Sequence, residues 1–313
     1  MRRALAFALG IGADAAFGDP PNALHPVALI GPAAHLLRRF APSAPSARER
    51  YGFAVALGLP AAGVLLTRTL QFVSGRGGGM AALVVDVALF DACCALRTLL
   101  TRASEVEAAL AAGDLDAGRA LCGMHLVSRD TATLTESEVA AATIESVAEN
   151  LSDGVVAPWL AFAAGGASAA IAYRVANTMD ALWGYRTEEF RALGHAVARL
   201  DDALNLVPAR FTALAIALAA SMGLYESQMD GAQALTTWFA DGGRTESPNA
   251  GHPMAAMAGA LGVALIKRDA YELGAVFREP VATDIGRAVG VARGAAMLVA
   301  TCILGALLVT RSR

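Results

Sequence analysis

Three glutamates, Glu138, Glu145 and Glu149, recur at spacings that place them near one face of a helix, while Val139, Ile144, Val147 and Leu151 occupy another. Thr135 stands three residues before Glu138 and offers the hydroxyl of a capping box, so the helix is expected to begin at Glu136. Asn150, Ser152 and Asp153 extend the polar run. Gly154 suits the left-handed residue that ends a helix, and Asp153 is placed to cap the next one. Carboxylates in this pattern either form a solvated helix face or hold Mg²⁺ opposite a phosphate, because a fresh helix N-terminus presents free amides and partial positive charge. The second reading gains from position: an apolar run follows at once, and a polar cluster bordering such a run is costly unless it lines a site.

Two further clusters have the same character. In ANTMDALWGYR (176–186), Asn177 and Asp180 fall at i and i+3; in ARLDDALNLVPAR (198–210), Asp201 and Asn205 fall at i and i+4, flanked by Arg199, Asp202 and Arg210. Singly, each is ordinary helix-surface chemistry. Three groups of acids and amides bordering apolar spans are harder to explain that way. In GDPPNALHPVALIG (18–31), prolines restrict the backbone around Asp19 and His25, although a lone loop histidine is more often a structural hydrogen-bonder. Cys93, Cys94, Cys122 and Cys302 lack metal-ligand spacing and read as buried free thiols. GRGGG (75–79) is a turn and not a phosphate-binding loop, since no Gly-Lys-Ser/Thr follows.

The elements that must position these groups are membrane helices. The chain of 313 residues is 56% hydrophobic and 17% charged, with a mean hydropathy of +0.48, a composition outside the range of ordinary soluble domains. Its net charge of −3 and its scattered arginines give no nucleic-acid footprint. Candidate spans are 53–73, 80–100, 155–175, 209–224 and 289–309, with 254–266 a short apolar segment that is re-entrant or packed on other helices. Asp86, Asp91 and Arg97 make the second span costly, at roughly 2.5 to 3.5 kcal/mol per central charge, so they should face protein or water. Arg2-Arg3 and the following apolar run resemble a signal peptide, but Asp14 interrupts it and an uncleaved embedded or interfacial segment is the preferred reading. Residues 104–121 read as an amphipathic helix pair, 226–239 as an extramembrane helix, and 267–287 as charged and exposed. Arg38, Arg39 and the basic tail at 311–313 point to the cytoplasmic side. The expected fold is all-α and multi-pass, with about four to six transmembrane helices plus extramembrane helices and loops, in one domain covering 1–313.

Six motifs in this order, GDPPNALHPVALIG, SRDT (128–131), IESVAENLSDGVVAP (144–158), ANTMDALWGYR, ARLDDALNLVPAR and SPNAGHPMAAMAGALGV (247–263), resemble the cobinamide-phosphate synthase family, also called CbiB/CobD, over most of the chain. The resemblance implies an inner-membrane enzyme of cobalamin biosynthesis that uses ATP to join an amino alcohol phosphate to the propionate of adenosylcobyric acid, with its active site facing the cytoplasm. The amine is aminopropanol phosphate, threonine phosphate or an ethanolamine analogue. Neighbouring partners would be the lipid bilayer and later cobalamin-assembly enzymes. Activating a carboxylate, most simply as an acyl phosphate, calls for Mg²⁺ and for cations on the phosphates.

Within that frame Glu145, Glu149 and Asp153 are assigned to Mg²⁺ and catalysis. Asp201 and Asp202, with Asp180, are further ligands or the base for the amine. Arg129, Arg199 and Arg210 would bind phosphates. Asp130 joins the nucleotide-binding set, Asn150, Asn177, Asn205 and Asn249 orient substrates, and Asp19 and His25 line the site from the N-terminal loop. Two rival readings are an intramembrane Mg²⁺-dependent prenyltransferase, on the strength of Asn177-x-x-Asp180 and Asp201-Asp202-x-x-Asn205, and an ion-coupled transporter. The first leaves the HPV and SPNAGHP loops unexplained, and the second predicts an internal repeat that the central motifs lack.

Overall fold

The computed structural model describes residues 1–19, 26–185, 187–223 and 229–310. Most of the loop expected to present His25 lies outside these, as do 224–228, where the extramembrane helix was expected to start. Among the described residues the regular structure is helical apart from one hairpin. Among the described residues, four helical stretches are long and apolar enough to cross a membrane: Pro45–Arg76, Gly79–Ala111, which is interrupted at 92–95, His195–Ser221 and Ala282–Val309. They carry exposed Phe53, Leu65, Leu66, Phe72, Met80, Val84, Met297 and Leu308, apolar surface that suits a lipid boundary.

The chain divides into two compact units. The first comprises 1–95, 157–205 and 303–313. In it α1 (Arg2–Phe17) packs on α4 (Gly79–Asp91), and α3 (Pro45–Arg76) packs on α9 (Ala167–Trp183). Its core is aromatic: Phe7 stacks on Phe90 at 5.4 Å and meets Trp159 edge-on at 5.8 Å, while Phe90 and Phe162 lie 4.1 Å apart. Gly10 is obligatory there, since a Cβ would collide with the Phe90 ring. The charge at Asp86 is accommodated as its cost demands: Arg2 pairs with it at 2.7 Å and the Gln71 amide donates to it at 2.7 Å.

The apolar stretch 155–175 is not one span. Residues 157–165 form α8, Gly166 turns the chain at φ 73°, and α9 then starts afresh. The Gly165-Gly166 pair breaks the helix, Gly166 taking a backbone angle that suits glycine.

The second unit comprises 96–156 and 206–302. Its centre is α7 (Glu136–Leu151), buried from Val139 through Ala148 and surrounded by α5 (Leu96–Ala111), α6 (Leu115–His125), α13 (Gly251–Leu261) and strand β1 (Leu265–Lys267). The capping box is as expected: Glu138 N donates to Thr135 Oγ1 at 3.3 Å and Thr135 N to Glu138 Oε2 at 2.8 Å. The extramembrane helix α12 covers Gly231–Asp241, later than expected, because Asp230 caps it by accepting from Gln233 N at 2.9 Å. It packs against α13, where Gly259 faces α12 so closely that a Cβ would meet its backbone. β1 pairs antiparallel with β2 (Tyr271–Leu273), Lys267 opposite Tyr271, so the segment expected to be merely charged and exposed folds back as a hairpin. The last helix, α14, covers Ala282–Val309; Cys302 on it is exposed, whereas Cys93, Cys94 and Cys122 are buried.

After Leu151 the helix does not stop. Residues 152–156 form one π turn that runs directly into α8. Gly154 keeps a right-handed conformation, and Asp153 therefore caps no new helix. The expected phosphate site at a fresh helix N-terminus is absent at this position, because the amides there lie inside a continuous helix.

Candidate functional site

One face of α7 presents Ala142, Glu145, Ser146 and Glu149 at helical spacing to a recess of about 140 Å³, closed by Ser128 and Arg129 from the loop after α6 and by Lys267 and Tyr271 from the hairpin. Glu145 is only 5% exposed. Its Oε2 pairs with Arg129 Nη2 at 3.3 Å, and its Oε1 has no hydrogen-bond partner. Burial dominates its acidity, pushing the carboxyl up to about 7; Arg129, the Tyr271 hydroxyl and Lys267 pull the other way and do not win. The Tyr271 phenol is raised as well, by burial and by the charge of Glu145. Ser146 Oγ donates to Leu126 O at 2.8 Å and fixes the approach of the Arg129 loop to the helix.

Of the residues assigned from sequence, this recess gathers Arg129, Glu145 and Glu149. Asp153 is not on its lining. Asn150 is exposed and its amide donates back to Ser146 O at 3.0 Å, while Asp130 accepts from Ala132 N at 2.9 Å as an ordinary turn side chain. Glu138, in the same predicted stripe, is taken up by the capping box and an ion pair with Arg268. Among the described residues no three His, Cys, Asp or Glu side chains converge as a metal-holding group, so Glu145, Glu149 and Asp153 do not form a three-carboxylate Mg²⁺ site in this geometry. Lys267 and Tyr271 join the recess without having been expected there. The one available signal was that Lys267 is the only lysine in the chain.

Elsewhere in the second unit, Arg210 Nη1 donates to Oδ1 of the buried Asn249 at 2.7 Å and Nη2 to Pro248 O at 3.1 Å. Trp238 Nε1 donates to His252 Nδ1 at 2.8 Å. Burial, then the Arg210 charge, holds the His252 imidazole below its usual pKa, so it stays neutral as the acceptor this bond requires. Arg210 and Asn249, assigned separately from sequence, thus meet, with the guanidinium already engaged.

In the first unit, the Asn177 amide donates to Asp201 Oδ1 at 3.2 Å and the Asn205 amide to Asp201 Oδ2 at 3.0 Å, while the Tyr173 hydroxyl donates to Asn205 Oδ1 at 2.8 Å. Helices α9 and α11 (His195–Ser221) hold this lattice through the i, i+3 and i, i+4 spacings visible in the sequence. Asp180 adds a second carboxyl, packed against Gly184, where a Cβ would strike its Oδ1. Burial first, and then Asp201 and Asp202, raise its pKa to about 7. Arg199 and Asp19 are exposed.

The folded protein thus keeps on Asp180 a proton that the unfolded chain releases near pH 4, so stability falls as pH rises from about 4 to 7 and stays reduced above. At about 1.4 kcal/mol per unit the ceiling is about 4 kcal/mol, lessened by water reaching a partly buried carboxyl. Asp180→Asn is therefore expected to gain unfolding temperature over the parent as pH rises from 5 to 8, its advantage being largest at pH 8, measured in detergent without divalent cations. Equal midpoints at both pH values would contradict the assignment.

Comparison with known proteins places these features in a family. The family described as CobD/Cbib protein matches residues 7–300. A cobalamin biosynthesis protein CobD of Geobacter metallireducens is 41% identical over 271 residues, covering 86% of this chain and 81% of its own. One of Chromobacterium violaceum is 38% identical over 326 aligned positions, covering 99% and 98%. A probable cobalamin biosynthesis protein CobD of Methanothrix thermoacetophila is 34% identical with 95% and 94% covered. No solved structure matches the chain. With that coverage along nearly the whole length, the chain belongs to the CobD/CbiB protein family.

Proposed function

We propose that the protein is a membrane-embedded, ATP-dependent amide ligase of cobalamin biosynthesis, joining an amino alcohol phosphate to the propionate of adenosylcobyric acid to give adenosylcobinamide phosphate. The observation that carries this reading is the full-length similarity to cobalamin biosynthesis proteins, two of which are covered over more than nine-tenths of their length. The balanced chemistry is two substitutions. The propionate oxygen attacks the γ-phosphorus of ATP and ADP leaves; the amine nitrogen then attacks the acyl carbon, phosphate leaves, and the amine gives up a proton.

Mg²⁺ would supply charge neutralisation on the nucleotide phosphates. In phosphoryl transfer it is commonly held by one or two carboxylates together with substrate oxygens and water, so a converging protein trio is not required. Asp180 and Asp202 fit that role: both Asp201 oxygens are bonded to asparagine amides, and the burial that chiefly raises Asp180, with the neighbouring Asp201 and Asp202 charges adding to it, is what a bound divalent cation would offset. Because ATP is cytoplasmic and a corrinoid is large and polar, the active site is proposed to open to the cytoplasmic side of the inner membrane.

The test is turnover by the purified chain in nanodiscs, given adenosylcobyric acid, Mg-ATP and aminopropanol phosphate. One ADP per amidated corrinoid is expected. AMP in place of ADP would replace the acyl phosphate with an adenylate, and no product with any candidate amine from folded protein would overturn the reading.

A further inference from the structure

Resting on the ligase reading, the second-unit recess differs from a nucleotide or corrinoid site in two ways that together identify an occupant. The first is size. A cavity of about 140 Å³ lies well below the roughly 300 to 1,000 Å³ of sites for drug-sized ligands, which suits a small molecule. The second is charge. Two cations, Arg129 and Lys267, and two carboxyls, Glu145 and Glu149, line the same small space, a mixed set that matches a ligand carrying both signs and is wasteful for a purely anionic one.

The groups are also built rather than incidental. Glu145 is nine-tenths buried with Oε1 unpartnered, a costly arrangement in the absence of a donor. Arg129 spends one nitrogen on Glu145, and a guanidinium has five N–H donors. Lys267 is brought in by the hairpin, opposite Tyr271.

We propose that this recess is the subsite for the small amine substrate, with Lys267 and Arg129 binding its phosphate and Glu149 and Glu145 receiving its ammonium. The assignment carries a specificity. An ammonium flanked by its own carboxylate, as in threonine phosphate, would bring a third anion against the glutamates, so the recess selects amines without that carboxylate. The discrimination comes from repulsion in the site rather than from an added attraction.

Calorimetric titration of the full-length protein in detergent tests this without any turnover. The probes are ethanolamine phosphate, its two halves inorganic phosphate and ethanolamine, and threonine phosphate. Each half and threonine phosphate are expected to bind at least about tenfold more weakly than ethanolamine phosphate. Lys267→Met is expected to weaken ethanolamine phosphate and inorganic phosphate about tenfold while leaving ethanolamine unchanged. Glu149→Gln is expected to weaken ethanolamine phosphate and ethanolamine while leaving inorganic phosphate unchanged, with gel filtration and circular dichroism confirming that both variants fold. Absent binding by the folded parent, parental affinity in both variants, or threonine phosphate bound as tightly would overturn the subsite. The ligase reading fails separately: the expected binding pattern with no amidated corrinoid in the turnover assay would leave the subsite standing and the reaction wrong.

Discussion

Arg129→Ala is expected to lower the proposed formation of adenosylcobinamide phosphate by roughly 10- to 10²-fold, the scale of losing a charge-assisted hydrogen bond to the bound phosphate, while the protein still folds. The two halves of that expectation have different causes. Activity falls because the recess loses one of its two cations. The fold survives because Glu145 has an alternative to being a stranded buried anion: its carboxyl is already pushed up to about 7 by burial, and the Arg129 charge is the largest influence opposing that rise. Without the arginine the carboxyl takes a proton and becomes neutral, the usual resolution for a buried acid that loses its partner. Arg129→Lys restores charge but not the planar fork, so partial recovery is expected. Full activity in Arg129→Ala would remove the recess from the reaction, and aggregation of both variants would show that Arg129 has a structural role instead.

The second large effect is on stability. Asp284→Ala is expected to cost about 3 kcal/mol, lowering the unfolding midpoint in detergent by about 5 °C or more. Asp284 is 1% exposed near the start of α14. Its Oδ2 accepts from Arg278 Nη1 at 2.7 Å and from Val281 N at 2.9 Å, and its Oδ1 from Arg278 Nη2 at 2.8 Å and Arg287 Nη1 at 2.9 Å. One carboxylate therefore caps the helix and neutralises two guanidiniums, and no neutral alternative is open to the arginines once it is gone. Half-exposure of Arg278 keeps the figure at the lower end of the range for broken buried pairs. Asp284→Asn, which retains the acceptor for Val281 but not the charge, should fall between. A midpoint within a degree of the parent for Asp284→Ala would show the network to be solvated.

What was legible in the sequence was what short-range physics fixes. Thr135 and Glu138 are three residues apart and decide the start of α7 between themselves. The long apolar runs decide which helices are candidates to cross a membrane, and the i, i+3 and i, i+4 spacings of Asn177, Asp180, Asp201 and Asn205 survive folding unchanged. What was not legible depended on partners far along the chain or on a local preference being overruled. Lys267 and Tyr271 reach the recess because a hairpin turns back toward α7, over a hundred residues after Glu145, and no periodicity encodes that return. Gly154 and Asp153 look like a stop followed by a cap, yet the flanking segments are buried on both sides, and packing of Leu151, Val155 and Val156 is best served by carrying the helix through a π turn. Gly166, two helical turns or more into an apolar run, ends a helix that composition alone would have continued.

Lys267 gives the molecule a built-in address for covalent chemistry. Where most chains of this length offer many equivalent amines, this one has a single lysine, and it sits half-buried in the polar recess. An amine-directed fluorophore or photocrosslinker therefore has two destinations, this side chain and the chain's first residue, and blocking the latter leaves one. A reporter placed there would register occupancy of the recess directly, and because a labelled lysine no longer offers the ammonium a lysine-specific protease recognises, loss of cleavage at that single point would report the extent of labelling.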